Sequence, residues 1–137
     1  MTQPARFIGI DPGRSKCGVA VVDENGQRYG LEVVPTANLA TTLTDYAQGG
    51  AIAGICVGDA TTSDAAVSIC KTALPGVPIA IVDERHTTLE ARARYYKDNP
   101  PRGLARLIPR GLLVPKQPLD GYAAMLIVER FLSRKTA

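Results

Sequence analysis

The sequence predicts an α/β protein, a mixed five-stranded sheet with helices on both faces. The N-terminal third alternates short apolar runs with turn signals, as an antiparallel meander does. The runs 51–58 (AIAGICVG) and 77–82 (VPIAIV) are continuously apolar, which suits strands buried on both faces. Segments with helical spacing follow each of these runs, so hairpins give way to strand–helix crossovers.

The first element is the stretch from Phe7 to Val22, FIGIDPGRSKCGVAVV. An apolar run ends at Asp11, Pro12 and Gly13 break it, Arg14 and Lys16 add positive charge, and a second run, Val19 to Val22, closes at Asp23. A carboxylate at a strand tip beside a basic Gly-containing turn can serve a phosphate or a hard cation, with glycine letting backbone pass close to a ligand. An ordinary hairpin whose Asp starts a turn has the same pattern. Asn25-Gly26 signals the next turn and Arg28 to Val34 a third strand, ended by Pro35.

Thr36 is placed to cap a helix over 37–48 with Leu39, Leu43, Tyr46 and Ala47 as its apolar stripe, stopped by Gly49-Gly50. The fourth strand, 51–58, ends at Asp59. Thr61-Thr62-Ser63 offers cap chemistry for a helix over 64–73, broken by Pro75-Gly76. The fifth strand, 77–82, runs into Asp83-Glu84-Arg85-His86. A third helix is expected over 89–96, with Glu90 and Arg94 spaced to pair on one face. Asn99-Pro100-Pro101 ends it, a Pro/Gly/basic stretch follows over 102–118, and an amphipathic helix is expected over 119–134 with Asp120 in its first turn. Three antiparallel strands followed by two crossovers is the ribonuclease H-like arrangement, with order 3-2-1-4-5, strand 2 antiparallel and strand 1 central.

Composition bounds the function. The chain has 137 residues and is 45% hydrophobic, fitting one soluble globular domain over 1–137. No apolar run approaches the roughly 20 residues of a membrane span, and the first six residues lack a signal-peptide core, so a cytoplasmic protein is expected. Cys17, Cys56 and Cys70 lack metal-ligand spacing and read as buried reduced thiols. The net charge of +3 is modest, but Arg92, Arg94, Lys97, Arg102, Arg106, Arg110 and Lys116 face only Asp98 in their segment, a candidate phosphate-contacting surface.

Ligands of open sheets bind beyond strand C-termini near the topological switch point. That rule selects Asp11, Asp59 and Asp83-Glu84, and the final helix adds Asp120. Asp11, Glu84 and Asp120 come from distant parts of the chain, and the topology brings them to one edge. Carboxylates so close need protons or cations between them, and Mg²⁺ or Mn²⁺ is the natural occupant. Two such ions would suit in-line displacement at a phosphodiester.

The residues Ile8-Gly9-Ile10-Asp11-Pro12-Gly13 with Lys16 and Gly18, then Val82-Asp83-Glu84-Arg85 with Thr87-Thr88 and Glu90-Ala91, then Leu119-Asp120 with Ala123-Ala124, form an ordered trio across nearly the whole chain. This trio resembles the YqgF/RuvX family of Holliday-junction resolvases and pre-16S rRNA-processing nucleases, within the RuvC-like ribonuclease H-fold superfamily. The Pro-rich basic run from Asn99 to Pro115 resembles a bacterial branch of it. The resemblance implies that Asp11, Glu84 and Asp120 are the catalytic, metal-binding acids, and that Lys16 and Arg85 serve phosphate or site organisation. It implies a metal-dependent endonuclease, with two Mg²⁺ or Mn²⁺ ions, acting on precursor rRNA or branched DNA. Arg14, Arg102, Arg106 and Arg110 join Lys16 and Arg85 as candidate nucleic-acid contacts. Junction resolution needs two active sites on one substrate, so a homodimer is among the expectations.

Two positions depart from the family pattern. Asp59-Ala60-Thr61 stands where relatives often have an apolar or Pro-containing turn, so Asp59 is an extra ligand or a turn residue. His86 stands where relatives often have an apolar residue, and is a proton shuttle or a solvent-facing side chain. Asp83 and its neighbour Glu84 point to opposite faces of a regular strand, and the resemblance selects Glu84. Tyr95, Tyr96 and Tyr122 either stack on bases or fill the core. A non-catalytic nucleic-acid or ribosome-associated protein of the same fold is the competing reading. An actin-like ATPase shares the first strands, but that architecture needs two such domains.

Overall fold

The structure, a computed structural model, describes residues 3–83, 87–100, 107 and 120–136. β1 (Arg6–Asp11) pairs antiparallel with β2 (Lys16–Asp23), and β2 pairs antiparallel with β3 (Arg28–Pro35). The second hairpin is tied by Asp23, which is 2% exposed. Its Oδ1 accepts the Asn25 and Gln27 N–H groups at 2.8 and 2.9 Å, and its Oδ2 accepts the Tyr29 hydroxyl at 2.8 Å. Burial pushes the Asp23 carboxyl up, but the hydrogen bonds from Tyr29, Gln27 and Asn25 and the Arg6 charge outweigh this and hold it below its ordinary range. Gly26 supplies the φ of 85° that the turn requires.

A 3-10 turn (Thr36–Asn38) leads into α1 (Leu39–Gly49), then β4 (Ile52–Gly58), α2 (Ser63–Ala73), β5 (Ile79–Val82), α3 (Thr87–Asp98) and α4 (Asp120–Thr136). The sheet order is β3-β2-β1-β4-β5, with β4 parallel to β1 and β5 parallel to β4, as the sequence predicts. Strand alternation then separates two cores. Ile8, Ile10, Val19, Val21, Ile55 and Val57 pack with Leu39 and Leu43 of α1 and Ala66 and Cys70 of α2. Phe7, Ala20, Val22, Cys56 and Val82 pack with α3 and α4 on the opposite face.

Several local expectations change. Thr36 does not cap α1, because it lies inside the 3-10 turn that precedes the helix and Asn38 takes the N-cap position; its hydroxyl donates to the Gly13 carbonyl at 3.1 Å. β2 reaches back to Lys16 and β5 is shorter than expected, starting at Ile79. Glu90 and Arg94 do not pair with each other. Each finds a partner on α4, Arg94 with Glu129 at 2.8 Å and Glu90 with Arg130 at 3.2 Å, because α3 lies alongside α4. Residues 121–128 of α4 are all buried, where one apolar stripe was expected, because this helix contacts β1, β2, β3 and α3 together.

Tyr95, Tyr96 and Tyr122 are core residues, with Tyr95 edge-on to both of the others at 5.1 and 5.8 Å between ring centres. The Tyr122 hydroxyl donates to Asp98 at 3.1 Å, and Arg28 pairs with the same carboxylate at 3.2 Å, so β3, α3 and α4 meet there. The three cysteines are buried and free. Among the described residues no helix is long and apolar enough to cross a membrane.

Candidate active site

Asp11 is the last residue of β1, and its cross-strand partner on β2 is Gly18. Directly paired residues share a face of the sheet, with Cβ positions roughly 4.5–5.5 Å apart. The face is identified by what the glycines touch. A Cβ at Gly18 would fall onto the Asp120 backbone carbonyl and lie 3.0 Å from Asp120 Cβ. A Cβ at Gly9, two residues before Asp11, would collide with the Ala124 carbonyl and lie 2.6 Å from Val128 Cγ2. The two glycines therefore form a lane on which α4 descends to backbone contact. Its first turn rests on the rung that carries Asp11, so Asp11 and Asp120 stand over one face at one end of the sheet.

The cationic turn sits beside them. Lys16 Nζ is 3.9 Å from Asp120 Oδ2, and Lys16 shares the face of Gly18 by strand alternation. The turn is held from below by Thr36, whose hydroxyl donates to Gly13 and whose N–H donates to the Ser15 carbonyl at 2.9 Å. Gly13 serves this folding: a Cβ there would strike the Lys16 carbonyl, so the close approach it permits is chain on chain, not chain on ligand. Arg14 is exposed at the tip.

The remaining candidates divide by position. Val82 is buried on the α4 side and ends β5 beside Gly58. Arg130 of α4 donates to the Asp83 carbonyl at 2.6 Å and so holds the strand exit to the helix that carries Asp120. Asp59 is exposed just beyond β4, and its N–H donates to the Val82 carbonyl at 2.8 Å, the contact of a strand-end turn. Glu84, Arg85, His86, Arg102, Arg106 and Arg110 lie outside the described residues. The Lys16–Asp120 pairing and the Thr36 anchor were not foreseen. The two-residue step from Lys16 to Gly18 was the available signal for the first, and no local pattern marked the second.

Asp11 and Asp120 offer hard oxygen donors, the chemistry that suits Mg²⁺ or Mn²⁺. Among the described residues no group of three His, Cys, Asp or Glu side chains gathers, so a complete ligand set requires an acid beyond them. Cys56 shares the α4 face next to Gly9, where it is buried in the core, and burial pushes its thiol up to about 12, which keeps it protonated and unreactive.

No family model matches the chain. Three curated relatives, each named "Putative pre-16S rRNA nuclease", come from Coxiella burnetii, Bacteroides fragilis and Anaeromyxobacter. The Coxiella burnetii (strain RSA 493) protein is 38% identical over 60 residues, 44% of this chain, and the chain spans only 34% of that relative's length. The Bacteroides fragilis (strain ATCC 25285) protein is 30% identical over 99 residues, 64% of this chain and 72% of the relative. The Anaeromyxobacter sp. (strain Fw109-5) protein is 26% identical over 103 residues, 65% of this chain and 75% of the relative. Among solved structures, Thermus thermophilus RuvC superposes with a TM-score of 0.66 at 16% identity over 96% of both chains. The same protein in complex with a Holliday junction substrate gives 0.57 over 97% of this chain and 98% of that one. With an Asp11–Asp120 face on a sheet of this order, and with a relative matched over most of its length, the chain belongs to the pre-16S rRNA nuclease (YqgF) family, built on the ribonuclease H-like fold of RuvC.

Proposed function

We propose that this protein is a metal-dependent nuclease that hydrolyses phosphodiester bonds in structured nucleic acid, at precursor 16S rRNA ends or in branched DNA. The observation that carries the reading is the convergence of Asp11 and Asp120 on one face through Gly18. Glu84 completes the acid set in this reading, two residues after Val82, whose side chain enters the α4-side core. Asp11, Glu84 and Asp120 would hold one or two Mg²⁺ or Mn²⁺ ions. A bound cation supplies Lewis-acid polarisation of a phosphoryl oxygen and a more acidic attacking water.

The chain's own groups do the rest. Asp11 ends the central strand, paired with Gly18 of β2 and next to Ile10, which is paired with β2 and β4 on its two sides. Asp120 is fixed by the backbone contact of α4 with Gly18. Acids placed this rigidly pre-organise the charge that a phosphoryl-transfer transition state needs. Arg14 and Lys16 present positive charge at the open end of the turn, where a nucleic-acid backbone would arrive.

The test is incubation of the pure protein with precursor 16S rRNA and with a four-way DNA junction, with and without Mn²⁺. Cleavage that requires the metal and disappears in Asp11→Asn, with the melting temperature retained, is the expected result. Cleavage by Asp11→Asn at the wild-type rate would sink the assignment, and tight binding with no cleavage under any metal would make the protein a binding module. The substrate that is cut decides between RNA processing and junction resolution.

A further inference from the structure

We propose that the Lys16 ammonium is the resident counter-ion of Asp120 in the metal-free site, and that it exchanges this carboxylate for a substrate phosphate when a divalent cation binds. The inference rests on the reading of Asp11 and Asp120 as metal ligands.

Three observations lead to it. Lys16 Nζ lies 3.9 Å from Asp120 Oδ2, close enough to neutralise it in part. The side chains are 59% and 37% exposed, so the pair is solvent-screened and weak, easily broken by a competitor of higher charge. The backbone around Lys16 is fixed: Ser15 and Gly13 carbonyls are held by Thr36, and Lys16 itself pairs with Pro35 across the β2–β3 ladder. A point charge on a flexible four-carbon stem, rooted in a rigid turn, can swing without moving the fold.

A doubly charged cation at Asp120 and the ammonium repel each other, so the two cannot share this carboxylate without cost. The displaced ammonium stays beside Arg14, which is exposed two residues away in the same turn. It then adds to the positive charge facing a nucleic-acid backbone. Lys16 thereby links the two occupancies: it lowers metal affinity in the free protein and raises substrate affinity only once metal is present.

Opposite signs in one variant distinguish this from a structural role. Lys16→Gln is expected to bind Mn²⁺ about threefold to tenfold more tightly than wild type at low ionic strength, the range for removing one charge near a divalent ion in water-like dielectric. The same variant is expected to bind a four-way DNA junction more weakly in Ca²⁺, with a salt slope smaller by about one, and equally well in EDTA. Lys16→Arg keeps the charge and should match wild type for Mn²⁺. Mn²⁺ is titrated by calorimetry, the junction by fluorescence anisotropy, and thermal melts accompany both. If Lys16→Gln melts early, Lys16→Met carries the same expectations. Unchanged or weaker Mn²⁺ binding by the neutral variant, with binding lost in Asp120→Asn, overturns the exchange and leaves the metal reading intact. Tighter Mn²⁺ binding with junction affinity unchanged in Ca²⁺ overturns the transfer to phosphate. Absence of Mn²⁺ binding by wild type removes the metal reading and this inference with it.

Discussion

Gly18→Ala tests the geometry on which the site depends. Its added methyl would enter the Asp120 backbone carbonyl and sit 3.0 Å from Asp120 Cβ. The obstructing atoms are main chain in the first turn of a helix, so no rotamer change relieves them. The carbonyl carbon of Asp120 would lie closer still to the new methyl, so restoring an ordinary carbon–carbon separation of ~3.5 Å requires that turn to withdraw by more than ~1 Å. The strand cannot yield easily, because Gly18 is paired to Asp11 on one side and Val33 on the other. Overpacking of this kind costs about 1–3 kcal/mol. For a chain of this size that lowers Tm by roughly 4 °C per kcal/mol.

Function should suffer more than stability. A displacement near 1 Å in a catalytic constellation costs about 100-fold in rate. The assays are thermal melting, Mn²⁺ calorimetry and cleavage of the preferred substrate at a temperature where the variant is fully folded. Gly26→Ala is the comparison: nothing lies within 4 Å of a Cβ there, and its φ of 85° alone makes it costly, by about 1–2 kcal/mol. It should lose similar stability with no loss of metal affinity. A Gly18→Ala protein with wild-type Tm and wild-type Mn²⁺ affinity would refute the backbone-contact reasoning.

Other predictions concern the scaffold. Gly49→Ala, at the end of α1 with no neighbour within 4 Å of the new methyl, should stabilise the protein by about 0.4–1 kcal/mol in urea denaturation; a loss would contradict the open space there. Burial pushes the Cys56 and Cys70 thiols up to about 12 and about 11, so a disulfide reagent at pH 8 should label them slowly in native protein and all three cysteines at once in guanidinium. Rapid native labelling of Cys56 would show the core to be open. Because the Asp23 carboxyl is held below its ordinary value of 3.8, its stabilising effect is fully present above that pH and is lost as pH falls through the lower folded value. Asp23→Asn should therefore be less stable than wild type at pH 7, with the gap narrowing below about pH 4. A pH-independent gap would assign the effect to packing instead.

Much of the fold was legible locally. Period-two alternation and the Asn25-Gly26 turn marked the meander, and the continuous runs marked β4 and β5, because a strand buried on both faces has no polar side to show. The helix ends were less legible. Thr36 had the chemistry of a cap, but a 3-10 turn placed it ahead of the helix end, and its hydroxyl donates to a carbonyl 23 residues away that only the fold brings near. The pairing of Glu90 with Arg130 and of Arg94 with Glu129 has the same cause. Tyr122 and its neighbours could have faced nucleic acid until α3 closed over α4 and Asp98 took the hydroxyl.

By itself the sequence determined which acids end strands, where the basic turn lies and what topology the strands must take. These follow from hydrophobic period, turn chemistry and the handedness of crossovers, all short-range. The sequence anticipated that Asp11 and Asp120 share one edge; only the tertiary structure decided that Gly9 and Gly18 are the surface on which α4 sets Asp120 over the Asp11 rung, and that Lys16 reaches Asp120. A glycine in a strand reads as a weakness until a helix is laid on it, and how closely that helix can approach depends on atoms more than 100 residues away in the chain.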